Sequence, residues 1–75
     1  MNRLTLNLDN QKLMEVRADF CKTSQELARL IQAAFHIKEE ILGITDSSGK
    51  FYDIQYAWEN LKSLSNHKLN IITSK

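Results

Sequence analysis

The sequence predicts an α+β domain, one amphipathic helix laid across a small mixed sheet of five strands. Three observations carry this. Residues 23–36 place Leu27, Leu30, Ile31, Ala34 and Phe35 at i, i+3, i+4, i+7 and i+8, the spacing of one helical face. Residues 3–8 alternate apolar and polar side chains as a half-buried strand does, and across the turn residues Asp9-Asn10-Gln11 residues 12–17 read as the return strand of a tight hairpin. Asp46-Ser47-Ser48-Gly49 separates two further runs rich in β-branched and aromatic residues, 41–45 and 50–54.

Each element has a local cause. In the first strand Leu4, Leu6 and Leu8 point one way and Arg3, Thr5 and Asn7 the other. In the second, Met14 and Val16 face inward while Leu13, Glu15 and Arg17 face out. Lys12 shares the inward parity but sits at the strand's end, where its stem can run out to water. Residues 18–22 lead into the helix, and Phe20 is expected to plug one end of the core. Thr23-Ser24-Gln25-Glu26 reads as a capping box, the Thr23 hydroxyl accepting the Glu26 amide and the Glu26 carboxylate returning to the cap. A helix of roughly 14 residues is marginal alone in water, so this one needs a surface to cover.

Residues 37–40 form a short connection to a buried third strand, and Gly49 is free to take the left-handed turn position before the fourth. Within 55–64, Trp58, Leu61 and Leu64 recur at helical spacing and predict a short helical turn. Residues 65–67 break it, and a last strand over 68–73 turns Leu69 and Ile71 inward. If the first and last strands pair in parallel at the centre, the helix crosses between two hairpins by a right-handed connection.

A chain of 75 residues forms one domain, and its opening methionine fits the N-terminal domain of a longer protein. A net charge of +1 argues against a general nucleic-acid binder, so electrostatic function must come from local placement of charge. Cys21 is the only cysteine, which excludes an internal disulfide and favours a reduced, cytoplasmic setting. No apolar run approaches the length of a membrane span, so membrane proximity would come only through a full-length protein.

This order of elements resembles the ubiquitin-like β-grasp superfamily over 4–72, essentially the whole chain. Unlike ubiquitin, the stretch Ile71-Ile72-Thr73-Ser74-Lys75 carries no Gly-Gly, so conjugation is not expected. The acidic-serine-glycine turn 46–50 is more similar to Ras-association domains and the ubiquitin-like lobes of FERM proteins. Leu42-Gly43-Ile44-Thr45-Asp46, with Leu64 and Leu69-Asn70-Ile71, resembles the N-terminal ubiquitin-like lobe of talin. Similar lobes occur in cytoskeletal and ciliary scaffold proteins. The resemblance implies a non-catalytic protein-binding module whose second strand is an edge, extended by an edge strand of a Ras- or Rap-type GTPase. It also implies basic residues at Lys12 and on the helix at Arg29. A second helical cation about a turn later is missing, because Gln32, Ala33 and Ala34 stand there.

The first candidate site is therefore basic: Arg3, Lys12, Arg17 and Arg29, along the first hairpin and the exposed helix face. The same charges would also guard a sheet edge against aggregation. Glu15 and Asp19 dilute the field. The alternative site is aromatic: Tyr52, Ile54, Tyr56 and Trp58, a surface through which a cytoskeletal or ciliary scaffold would bind its partner. Phe51 and Trp58 are expected in the core, with Tyr52 and Tyr56 exposed beside Ile54. Neither His36, at the helix C-terminus, nor His67 belongs to a metal-ligand or catalytic spacing, and only Lys22 neighbours the thiol of Cys21. No Gly-rich phosphate loop is present. The sequence predicts no enzyme, no metal and no cofactor.

Overall fold

The computed structural model describes residues 3–9, 12–65 and 67–74. Its elements run β1 (Arg3–Leu8), β2 (Lys12–Arg17), α1 (Ser24–Phe35), β3 (Ile41–Thr45), β4 (Phe51–Asp53), α2 (Ile54–Glu59), α3 (Leu61–Leu64) and β5 (Lys68–Thr73). The strands form one mixed sheet in the order β2-β1-β5-β3-β4, with β1 and β5 parallel at its centre and the other neighbours antiparallel. Asp9 closes β1 with a positive φ of 52°. The remaining turn residues expected there, Asn10 and Gln11, lie outside the described residues, as does Asn66 in the predicted break before β5.

Helix α1 is held at both ends. The Glu26 amide donates to Thr23 Oγ1 at 3.1 Å, as a capping box requires. The reciprocal bond differs from expectation: Glu26 Oε1 accepts from the Lys22 amide at 2.7 Å, one residue before the cap. At the other end His36 takes the left-handed conformation (φ 57°, ψ 44°), and its own amide and that of Ile37 both donate to the Gln32 carbonyl. His36 therefore does its capping through the backbone.

Leu27, Ile31 and Phe35 of α1 are buried in one cluster with Leu4, Leu6, Val16, Ile44, Leu69 and Ile71 of the sheet. Ala57, Leu61 and Leu64 from α2 and α3 close the cluster. Leu30 and Ala34 lie half-buried at its margin.

Three sequence expectations need correction. Phe20 does not plug the core; it is 77% exposed. The Cys21 amide donates to the Ala18 carbonyl in a turn that puts Ala18 inside instead. Phe51 is 49% exposed, because its register partner is the outward Thr45, while Tyr52 opposite the buried Ile44 faces inward. Strand β4 stops at Asp53 rather than residue 54. The Asp53 carboxylate accepts the Tyr56 amide at 2.7 Å and starts α2 at Ile54. Helical structure therefore begins before residue 55, and it is split at Asn60, whose side chain donates to the Tyr56 carbonyl at 2.8 Å.

Candidate functional site

Strand order makes β2 an edge, with β1 its partner in the sheet. Along it Leu13, Glu15 and Arg17 face away from the core and Met14 and Val16 toward it. Leu13 is 57% exposed. An edge strand of six residues carries unpaired backbone donors and acceptors at alternate positions, which another extended chain can satisfy.

The structure divides the four candidate cations among separate settings. Arg3 lies opposite Arg17 in the β1–β2 register, and its Nη1 sits 3.4 Å from Glu15 Oε1. Arg17 pairs with Asp19 at 3.7 Å, its guanidinium 5.8 Å from the Phe20 ring centroid. Lys12, at the opposite end of β2, places Nζ 5.9 Å from the Phe35 ring. Arg29 is elsewhere. It lines a shallow groove with Gln25, Ala28, Gln32, Glu40, Ile41 and Ile54, on the flank of α1 that meets α2 and β3. Arg3, Arg17 and Lys12 thus belong to the β1–β2 edge, and Arg29 does not join them. Carboxylates beside Arg3 and Arg17 keep the edge close to neutral, and such exposed ion pairs contribute about 0–1 kcal/mol each.

The aromatic set also divides. Tyr52 and Tyr56 stack with centroids 5.4 Å apart and planes 12° from parallel. Lys50 Nζ stands 5.1 Å from the Tyr52 centroid and 5.9 Å from that of Tyr56. Tyr56 is 43% exposed, whereas Tyr52 is half-buried, contrary to its expected exposure, because it shares the inward face with Ile44. Ile54 packs against the core beside the Arg29 groove. Trp58 also packs on the core, its Nε1 donating to the Cys21 carbonyl at 3.0 Å. Only Tyr52 and Tyr56 remain as a pair.

The stack is anchored to the β3–β4 turn. Asp46 Oδ1 accepts from the Ser48 amide (2.9 Å), the Ser48 hydroxyl (2.6 Å) and the Lys50 amide (3.0 Å), while Oδ2 accepts the Tyr52 hydroxyl at 3.2 Å. The Ser48 hydroxyl, followed by the other donors, holds the Asp46 carboxyl below its ordinary value. Cys21 moves the other way. Burial first, and then the Glu26 carboxylate, push its thiol up, which keeps it protonated and poorly nucleophilic.

Comparison with protein-family models, curated proteins and solved structures finds no match to this chain. Among the described residues no group of His, Cys, Asp and Glu is placed to hold a metal ion, and no helix is long and apolar enough to cross a membrane.

One feature of the sheet has no counterpart among the candidate sites. Register aligns Leu13, Asn7, Asn70, Thr45 and Phe51 in a row across all five strands on the face away from α1. Asn7 Nδ2 donates to Asn70 Oδ1 at 3.2 Å in its middle, and exposed Leu13 and Phe51 stand at its ends. The signal in the sequence is strand parity, which puts Phe51 on the same side as the charged Asp53 and opposite to Tyr52.

Proposed function

We propose that the chain is a ubiquitin-like β-grasp module without catalytic function that binds a protein partner by strand addition at β2. The observation that carries this reading is the position of β2 at the end of the sheet order, six residues long, with Lys12 and Arg17 at its two ends. A Ras- or Rap-type GTPase, offering an extended edge flanked by acidic residues, is the partner class this arrangement suits. The setting this reading implies is cytoplasmic, where such a GTPase would meet it. Arg29 contributes least, because it sits across α1 from β2.

Titration of the labelled chain with a GTP-loaded GTPase tests this. Backbone amide shifts confined to residues 12–17, lost when Lys12→Glu and Arg17→Glu are combined in a folded variant, support it. Unperturbed β2 amides at saturating partner reject it. The stacked Tyr52 and Tyr56 favour a second reading, a scaffold contact of the cytoskeletal or ciliary kind. Shifts centred on Lys50, Tyr52 and Tyr56 with a scaffold partner would move the assignment there.

A further inference from the structure

We infer that the groove on the α2 side of α1 holds an extended peptide of a partner protein, one that carries a carboxylate next to an aliphatic side chain. This site is separate from β2 and does not rest on the reading of that edge. The groove has a local cause. Gln25, Ala28, Arg29 and Gln32 stand at i, i+3, i+4 and i+7, so they form one stripe of α1 along its flank toward β3 and α2. Ala28 is the gap in that stripe. Its methyl group leaves a hollow between longer side chains, with Ile41 and Ile54 as apolar lining. Gln32 is tied to the chain just before β3, its Nε2 donating to the Glu39 carbonyl at 2.8 Å. The hollow measures about 260 Å³. That is below the roughly 300–1,000 Å³ of sites for small molecules and cofactors, and it suits one or two side chains of a peptide.

Charge names the rest of the occupant. The chain has three arginines, and two of them each meet a carboxylate, Arg3 at Glu15 and Arg17 at Asp19. Arg29 has no such partner among the described residues. Its helical neighbours do not supply one. Glu26, three residues before it, is turned back to the Lys22 amide, and Ala33 stands four residues after it. An exposed guanidinium beside an apolar hollow offers paired N–H donors to a carboxylate, while the hollow takes the aliphatic neighbour. Glu40 also lines the groove and repels a second acid, so a run of acidic residues is disfavoured. The occupant is therefore a single acidic residue followed by an aliphatic one, held extended.

Titration of the isotope-labelled chain with a short capped peptide, aspartate followed by leucine in an otherwise glycine and serine sequence, is the test. Amides of residues 25–32, 40, 41 and 54 should shift and saturate with a Kd on the order of 1 mM, the strength of so small a contact. The same peptide with asparagine for aspartate should bind about tenfold more weakly. Arg29→Glu should lose the aspartate peptide and gain one with lysine in its place. Ala28→Leu, which fills the hollow, should bind neither. Circular dichroism confirms that each variant is folded. Groove amides that stay unmoved in the parent at about 10 mM peptide overturn the proposal, as does equal binding of the aspartate and asparagine peptides. Failure here is separable from failure of the GTPase reading. That reading is scored at residues 12–17, across α1 from this groove, and a peptide bound here should stay bound when the GTPase is added.

Discussion

Ile41 and Ile44 stand three residues apart on β3 and both face the core, which strict strand alternation forbids. The register against β5 shifts between Ile41 and Gly43, leaving Leu42 as the extra residue of a bulge and exposed. The bulge resets the parity, so that Ile44, and Tyr52 opposite it, turn inward while Gly43, Thr45 and Phe51 turn out.

Gly43 has no room for a side chain in this arrangement. A Cβ there would run into the Tyr52 carbonyl oxygen and come within 2.9 Å of Asp53 Cα and of a Phe51 ring carbon. Two of those atoms are backbone and cannot step aside. Gly43→Ala should therefore cost about 1–3 kcal/mol, read as a lowered denaturant midpoint at unchanged slope. A variant as stable as the parent would show that β3 and β4 are not so closely apposed.

Asp46 predicts a dependence on acid. Its folded pKa is lowered, so the stability it contributes is present above its ordinary value of 3.8 and is lost as pH falls through the folded value. Thermal melts of the parent and Asp46→Ala should differ at neutral pH and converge below pH 3.8. The Lys50–Tyr52–Tyr56 arrangement should loosen in the variant, visible as a changed tyrosine near-ultraviolet signal. A gap that persists undiminished in acid would assign the effect to packing instead.

Much of the fold was legible because local signals agreed with one another. Thr23 capped where expected, Leu27, Ile31 and Phe35 faced inward, and residues 3–8 and 12–17 paired as a hairpin. What escaped was decided by tertiary register. Phe51 looked like core until the bulge at Leu42 fixed its face, and Phe20 lost its place to Ala18 through one backbone turn. The candidate site was legible only as a list. Arg3, Lys12, Arg17 and Arg29 are all basic in sequence, but which of them share an edge depends on strand order and on the side of α1 that meets α2.

His36 offers a gain in stability. A left-handed residue with a Cβ costs roughly 1–2 kcal/mol, a cost glycine avoids. His36→Gly should recover part of it, about 1 kcal/mol, and raise the melting temperature by about 4–8 °C for a domain of this size. A lowered melting temperature would mean that the imidazole itself makes a stabilising contact.

Amide hydrogen exchange along β2 in the free chain tests the central claim most directly. An edge strand bonded on one flank alone should show alternating protection over Lys12–Arg17, every second amide slow and the intervening ones fast. Those fast amides should slow when a binding strand is supplied. Uniform protection of all six in a dilute, monomeric sample would mean the flank is already occupied, and the docking reading would fall.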